Sequence, residues 1–278
     1  RRGADRADAY GAARARRVRV RAAVLPPRGG PARCRPPRAG RVPGAGPVAG
    51  RLRSPSVPVV AETVALHTIF ELQRATGARV HICRLSSSEG IDLVRQAKRQ
   101  GLPVTADVAI HHVHLIDVDI GYFDPNFRLD PPLRGTRDRD AIIAGLADGT
   151  IDIICSDHAP IGEDDKLLPF GEAEPGASAL ETLLPLTLKW ATENDIPLSQ
   201  ALTKVTSGPA EILSKGSPKG RLSVDAKADV VVFDASAPWV VSAETLVSAG
   251  KNTPFAGYEL EGCARYTLVG GEIRYVRS

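Results

Sequence analysis

The sequence lacks the features that mark membrane and secreted proteins. It contains no run of about 18 apolar residues, so we expect no segment that crosses a bilayer. The amino terminus has no charged segment followed by an apolar one and small residues, so we expect no secretory signal. The four cysteines are scattered and form no C-x-x-C pair. Together these absences indicate a cytoplasmic protein with reduced thiols and no membrane contact.

Lysine is absent from residues 1–56, which contain 15 Arg and only two acidic residues, Asp5 and Asp8. The segment is almost entirely Arg, Ala, Gly, Pro and Val. Such a composition buries too little apolar surface to offset chain entropy, so we expect a disordered tail. A basic arm that binds nucleic acid or anionic lipid is a functional alternative. Against it, the Arg residues show no helical spacing and Tyr10 is the one aromatic residue, so we expect no nucleic-acid partner.

The tail also has the composition of a mistranslated segment. Arg, Ala, Gly and Pro are encoded by GC-rich codons, and every cation in the segment is Arg. Translating a GC-rich gene in the wrong frame produces this bias. A third hypothesis is therefore that residues 1–56 are a frame-shift product and that the true frame begins near Val57.

From Val57 onward, apolar residues recur at helical and strand spacing. Alternating strands and helices are typical of a parallel α/β sheet, so we predict the α/β class. After Gly216 the pattern changes to strands alone, with a hairpin at Gly270-Gly271, which predicts a small appended β region over 214–278. The predicted helices are 62–75, 89–99, 137–147, 179–194 and 199–213, and the predicted strands are 78–85, 102–110, 151–155, 228–233 and the pair within 264–275.

Ionisable side chains follow three of the predicted strands directly. Arg84 follows the first, His111 and His112 the second, and Asp157 with its neighbours the third. In a (β/α) barrel the carboxyl ends of the strands build the active site. Three strand ends that carry Arg, His and Asp therefore indicate a functional edge of the sheet.

Five segments resemble dihydroorotase motifs, in the order in which that family carries them. They are 105–115 (TADVAIHHVHL), 130–134 (DPPLR), 156–160 (SDHAP), 180–186 (LETLLPL) and 252–257 (NTPFAG). The resemblance covers about Val57 to Tyr275 and implies a partial (β/α)₈ TIM-type metal-dependent hydrolase barrel over 57–213 with a small β domain. It further implies interconversion of dihydroorotate and N-carbamoyl-aspartate in pyrimidine biosynthesis. The DPPLR segment (130–134) and the NTPF signature (252–255) favour this branch over hydantoinases and allantoinases.

The resemblance also implies site residues. Asp157 is expected to act as general base and then acid beside a zinc ion, and His112 is expected to be a zinc ligand. Asp130, Arg134 and Gly176 are expected to line the substrate pocket. Zinc would activate a water molecule for attack on the cyclic amide.

This chain departs from the dihydroorotase pattern at Arg84 and Ile161, and also at Asp130, where the family commonly has Asn. Arg84 stands where the family commonly has a metal-binding His, and an Arg side chain cannot ligate zinc. Ile161 stands where active members often have a His that contacts the substrate carboxylate. Some degenerate relatives are non-catalytic partners of aspartate transcarbamoylase, and this is the alternative function. Arg84 is expected either to fill the electrostatic role of the metal or to pair with Asp157.

Overall fold

The computed structural model describes residues 21–25, 57–214 and 219–277 of the 278-residue chain. These residues form a four-stranded sheet with flanking helices and a separate three-stranded sheet. The strands are β1 Arg21–Leu25, β2 Arg79–Cys83, β3 Val104–Ala109, β4 Ile153–Cys155, β5 Val230–Val240, β6 Glu259–Val269 and β7 Glu272–Val276. The helices are α1 Val59–Thr76, α2 Ser88–Arg99, α3 Ile110–His114, α4 Thr136–Ala147, α5 Glu163–Lys166, α6 Leu183–Glu193, α7 Leu198–Thr203 and α8 Ser207–Ser214.

Local sequence signals account for the ends of the first helices. Gly77 follows α1 with a left-handed backbone, φ 66°, and its N–H donates to the carbonyl of Gln73. Ser87 precedes α2, and its side chain accepts a hydrogen bond from the N–H of Gly90. Both helices bury an apolar face against the sheet, with Leu66 and Ile91 fully buried.

Strands β2, β3 and β4 are parallel neighbours, as the strand–helix alternation predicts. Because opposed residues share a face, the register separates the side chains into two sets. One set is apolar and buried among the helices: Val80, Ile82, Ala106, Val108 and Ile154. The other set lines what would be the interior of a barrel. It contains the polar residues His81, Cys83, Thr105, Asp107 and Cys155 together with Ala109 and Ile153.

Strand β1 corrects the expectation of a tail without regular structure, because Arg21–Leu25 pairs antiparallel with β2. A short apolar-rich segment can satisfy its backbone groups on the open edge of a sheet. The remainder of residues 1–56 lies outside the described residues, so the frame-shift hypothesis stays a prediction.

Two predicted helices differ from the structure. The helix predicted over 179–194 begins at Leu183, because the N–H groups of Ala179 and Leu180 donate to His158 Nδ1 instead. The helix predicted over 199–213 is divided into α7 and α8. Pro209 has no N–H to continue a helical ladder, and it is accommodated in the first turn of α8.

The small sheet has the order β5-β6-β7 and is antiparallel throughout. Gly270 and Gly271 form the predicted hairpin turn with φ of 63° and 86°, a conformation that glycine adopts without strain. Helix α6 packs against β6 and so joins this sheet to the α/β part. None of the helices in the described ranges is long and apolar enough to cross a bilayer.

Candidate active site

Arg84 and Asp157 form an ion pair across the carboxyl ends of β2 and β4. Nη1 of Arg84 lies 3.0 Å from Oδ1 and 3.1 Å from Oδ2 of Asp157, and the same nitrogen donates to the carbonyl oxygen of Asp130. The two side chains are 12% and 21% exposed. Among the described residues, no hydrogen-bond partner reaches Nε or Nη2 of Arg84. One edge of the guanidinium is therefore fixed, and the other is available to a ligand.

Both members of this pair have a left-handed backbone, with φ of 59° at Arg84 and 47° at Asp157. That conformation is strained for residues other than glycine, and such strain concentrates at functional sites. Asp107 supports it, since its Oδ1 accepts a hydrogen bond of 2.7 Å from the N–H of Arg84. The side chain of Asp107 in β3 thus fixes the backbone of Arg84, from which the guanidinium extends.

Burial is the main influence on the pKa of Asp157 and raises it above the usual value. The cation of Arg84 lowers that pKa and offsets the burial only in part, while Asp130 and Asp107 raise it further. For Arg84, burial alone would lower the pKa, but the nearby carboxylates more than offset this effect, so its pKa is raised. Arg84 therefore stays a cation, and Asp157 is a carboxyl group suited to exchange a proton.

A narrow cleft brings together several residues that the motifs predict. Arg84, Asp130 and Arg134 line it, together with the two prolines that follow Asp130. Arg134 is 6% exposed and is held by structural contacts: Nε lies 3.2 Å from Ser86 Oγ, and Nη1 donates to the carbonyl of Val57. Its role in substrate binding stays a prediction.

The buried carboxylate of Glu62 in α1 organises the floor of this cleft. It accepts hydrogen bonds from the N–H and hydroxyl groups of both Ser86 and Ser87. Burial raises the pKa of Glu62, and the two serines and Arg134 offset this in part. A Cβ at Gly90 would lie 2.1 Å from Glu62 Oε1, so glycine is needed there. Sequence reasoning missed this network.

His112 is buried in α3 with one free nitrogen. Its Nε2 lies 3.1 Å from the carbonyl of Pro132, which can only accept, so Nε2 carries the proton. Nδ1 is then a lone-pair nitrogen, and no partner reaches it among the described residues. Burial lowers the pKa of His112 to about 4, so the ring is neutral.

Gly176 and Ile161 lie together beside the loop after β4. A Cβ at Gly176 would lie 2.8 Å from the carbonyl oxygen of Ala159, and the φ of 146° also requires glycine. The side chain of Asn252 holds both segments: Oδ1 accepts from the N–H of Ile161, and Nδ2 donates to the carbonyl of Gly176. The NTPFAG segment therefore clamps this loop, and a direct role of Gly176 toward substrate stays a prediction.

The comparisons with known proteins agree with this geometry. The model of the Amidohydrolase family matches residues 58–275. The chain belongs to the amidohydrolase family. It is 42% identical over 218 residues to a dihydroorotase of Geobacillus sp. (strain WCH70), covering 78% of this chain and 51% of the relative. It is 41% identical over 228 residues to a dihydroorotase-like protein of Pseudomonas putida, covering 82% and 53%. This amidohydrolase chain thus spans about half the length of these relatives, and the resemblance drawn from its motifs is confirmed.

Solved amidohydrolases share the fold. The L-hydantoinase of Arthrobacter aurescens superposes with a TM-score of 0.73 at 27% identity, over 78% of this chain and 49% of that one. A D-hydantoinase from Thermus sp. superposes with the same TM-score at 24% identity and with the same coverage, which shows the fold alone. The prediction of a partial TIM-type barrel is confirmed.

Members of this family are generally metal-dependent, so the predicted ligands His112 and Asp157 would have to belong to a complete zinc site. Nδ1 of His112 is a buried orphan nitrogen that suits a cation. Both carboxylate oxygens of Asp157, however, are engaged by Arg84. The end of β2 therefore supplies a guanidinium where a third metal ligand would be needed. Catalytic zinc takes three protein ligands. His112 and Asp157 alone, among the described residues, do not fit it.

Proposed function

We propose that this amidohydrolase chain acts in a cyclic amide hydrolysis of the dihydroorotase type, interconverting dihydroorotate and N-carbamoyl-aspartate in pyrimidine biosynthesis in the cytoplasm. The identity of 42% to a dihydroorotase supports the substrate class. The observation that carries the proposal is the Arg84–Asp157 pair, which puts a fixed cation and an exchangeable carboxyl group at one strand-end edge.

Asp157 is the proton carrier in this proposal. In its ionised form the carboxylate accepts a proton from a water molecule as that water attacks the ring amide carbon. The carbon–nitrogen bond then breaks, and Asp157 returns the proton to the leaving nitrogen. The raised pKa of Asp157 suits this double role, because burial makes the carboxylate a stronger base than an ordinary exposed one.

Arg84 supplies the positive charge. Arg84 lines the cleft, and its side-chain hydrogen bonds to described residues are all made by Nη1, so Nε and Nη2 can donate to the amide oxygen as negative charge develops there. Asp157 and the carbonyl of Asp130 hold the opposite edge, which keeps the group oriented before substrate binds. No step in this proposal passes through a zinc ion, because the His112–Asp157 set does not fit one.

Hydrolysis of dihydroorotate, followed by its ultraviolet absorbance, tests this function. The expected result is turnover by the purified chain that falls at least about 100-fold in Asp157→Asn, the scale of a lost general base. The control is Asp164→Asn in α5, an exposed carboxylate that should leave turnover unchanged. Equal rates in Asp157→Asn and the unmodified chain would contradict the proposal.

A second candidate function is a non-catalytic partner of aspartate transcarbamoylase. The same ion pair favours it, because a carboxylate neutralised by Arg84 leaves no complete metal site at the described strand ends. A chain without turnover that nevertheless co-elutes with purified aspartate transcarbamoylase in size-exclusion chromatography would support this function. A chain that turns over dihydroorotate and elutes independently would exclude it.

A further inference from the structure

Three side chains of types that commonly bind metals meet on the polar face of the sheet, below the Arg84–Asp157 pair. His81 and Cys83 lie two residues apart on β2 and so share a face, and Asp107 lies on the neighbouring strand β3. One ligand atom from each, a ring nitrogen, Sγ and a carboxylate oxygen, all lie within 4.8 Å of one another. His81 and Asp107 are both buried, at 6% exposure each. These residues are separate from the positions His112 and Asp157 that the motifs indicate.

Thr105 can hold the histidine in the tautomer that a metal needs. Nδ1 of His81 lies 2.8 Å from Thr105 Oγ1, and Nε2 donates to Asp107 Oδ2 at 2.9 Å, because a carboxylate can only accept. Since the hydroxyl can also accept, the proton can move to Nδ1, which leaves the lone pair of Nε2 for a metal. Histidine ligands of metals almost always donate their second ring nitrogen to such a partner, which sets the tautomer and the orientation of the ring.

Asp107 is oriented in the same way. Its Oδ1 accepts hydrogen bonds from the N–H of Arg84 and, at 3.3 Å, from the Sγ of Cys155. Its Oδ2 is directed toward His81 Nε2, at 2.9 Å. Hydrogen bonds to Oδ1 therefore orient the carboxylate, and Oδ2 faces the histidine nitrogen. A carboxylate that binds a metal through one oxygen is held in this way.

The spacing needs little adjustment for a tetrahedral ion. Zinc–nitrogen and zinc–oxygen bonds of roughly 2.0–2.2 Å at a tetrahedral angle separate the two ligand atoms by about 3.3 Å. The present separation of 2.9 Å between His81 Nε2 and Asp107 Oδ2 must open by only a few tenths of an ångström. The mixture of imidazole, thiolate and carboxylate ligands suits zinc and excludes magnesium and calcium, which prefer oxygen alone.

We propose that His81 Nε2, Cys83 Sγ and one carboxylate oxygen of Asp107 bind a single divalent transition-metal ion of the zinc class, with water in the fourth position. Binding replaces the His81–Asp107 hydrogen bond with two metal bonds: the ring proton of His81 moves from Nε2 to Nδ1, where Thr105 accepts it, and the thiol proton of Cys83 passes to solvent. The ion joins β2 to β3 directly below the strained residue Arg84. The metal site does not rest on the proposed hydrolysis, although Asp107 also accepts the N–H of Arg84 and Cys83 lines the same cleft.

Titration with Co²⁺ tests this site, because a thiolate ligand gives a charge-transfer absorption band. The test uses the reduced, chelator-treated full chain with Cys34 and Cys263 replaced by Ser, so that Cys83 and Cys155 are the cysteines that remain. The expected result is a band that saturates at one Co²⁺ per chain and disappears when Zn²⁺ is added. Absence of saturation at a one-to-one ratio would overturn the proposal.

Two serine variants distinguish the ligand from its neighbour. Cys83→Ser should abolish the band and weaken Zn²⁺ binding by at least about 10-fold, whereas Cys155→Ser keeps a donor to Asp107 and should retain the band. Thr105→Val removes the partner of His81 Nδ1 and should weaken binding by about 10-fold with the band retained. A band lost in Cys155→Ser and kept in Cys83→Ser would contradict the assignment.

X-ray absorption of the zinc-loaded parent chain gives a measurement that does not depend on how a variant folds. The expected shell has one sulfur at about 2.3 Å and three nitrogen or oxygen atoms at roughly 2.0–2.2 Å. A shell of nitrogen and oxygen alone, or one with two or more sulfur atoms, would overturn the proposed ligand set.

Discussion

The guanidinium of Arg84 and the carboxylate of Asp157 face each other across the ends of two strands, 3.0 Å apart, and each residue has a left-handed backbone. The position that the dihydroorotase resemblance assigns to a metal ligand therefore holds a cation that pairs with the expected catalytic carboxylate. Of the two expectations for Arg84, pairing with Asp157 agrees with the structure. The predictions below follow from this pair and from the buried groups around it.

Removal of one partner of the pair should destabilise the fold. Arg84→Ala leaves the buried Asp157 without its cation, and we expect the free energy of unfolding to fall by about 3 kcal/mol. The exposed pair of Lys189 with Glu193 gives the control, since Lys189→Ala should cost less than about 1 kcal/mol. Urea denaturation of each variant measures both values. Equal losses of unfolding free energy in the two variants would contradict the predicted cost of leaving Asp157 buried without its cation.

Glu62 should be needed for stability although it is an acid in an apolar helix face. Glu62→Gln replaces a carboxylate that accepts four hydrogen bonds with an amide that accepts through one oxygen, and a serine donor is left unpaired. We expect a loss of about 2 kcal/mol, in the range for buried unsatisfied groups. Glu71→Gln on the exposed side of the same helix should change unfolding by less than about 0.5 kcal/mol. A tolerated Glu62→Gln would refute the role of the network.

Gly90 should not tolerate a methyl group. Its Cβ would lie 2.1 Å from Glu62 Oε1 and 3.0 Å from Ser87 Oγ, so Gly90→Ala must displace the buried carboxylate. We expect destabilisation of at least about 2 kcal/mol from overpacking and lost hydrogen bonds. Gly135→Ala is the matched control, because nothing lies within 4 Å of a Cβ there. Thermal unfolding of both variants measures these effects. An unchanged unfolding temperature in Gly90→Ala would contradict this packing.

Stability should fall as the pH is lowered from 7 to 5, in part because of buried histidines. Burial lowers the pKa of His111 to about 3 and that of His112 and His114 to about 4. In this window the unfolded chain takes up protons at about pH 6.5 while the folded chain does not, so acid favours unfolding. Each such histidine adds a slope of up to about 1.4 kcal/mol per pH unit.

A variant of one histidine isolates its share of this slope. His114→Gln keeps a donor to the carbonyl of Leu186 and removes the titrating ring. The slope of unfolding free energy against pH should therefore fall by the contribution of one histidine, up to about 1.4 kcal/mol per pH unit. Thr68→Gln on the exposed face of α1, which changes no titrating group, should leave the slope unchanged. Denaturation midpoints at several pH values provide the measurement, and identical slopes for the two variants would disprove the assignment.

Much of the fold follows from periodicity in the sequence. The parallel strands and the helices α1, α2 and α4 appear close to their predicted positions, because each combines regular apolar spacing with Gly or Ser at its ends. The NTPFAG segment was recognisable as a motif, but its structural role was not. Phe255 is fully buried and stacks on His111 at 6.1 Å, and Asn252 bridges two loops, which are contacts between residues far apart in sequence.

The groups that sequence reasoning missed are those that depend on register between strands. His81, Cys83 and Asp107 meet because β2 and β3 are paired with His81 opposite Thr105, and no local pattern specifies that pairing. The alternation of polar residues within two otherwise apolar strands was the available signal. No local pattern marks Glu62 as a buried acid, because its serine partners lie 24 and 25 residues away in sequence.

The pH dependence of dihydroorotate hydrolysis tests the central claim most directly. If Asp157 is the base and Arg84 lowers its pKa, the acidic limb of kcat/KM should move to higher pH in Arg84→Gln, because the carboxyl group loses its cation. The measurement compares this limb in the unmodified chain and in Arg84→Gln. A shift to higher pH, with reduced turnover, is the result we predict. A limb at the same pH in both chains, or no turnover in the unmodified chain, would contradict the account.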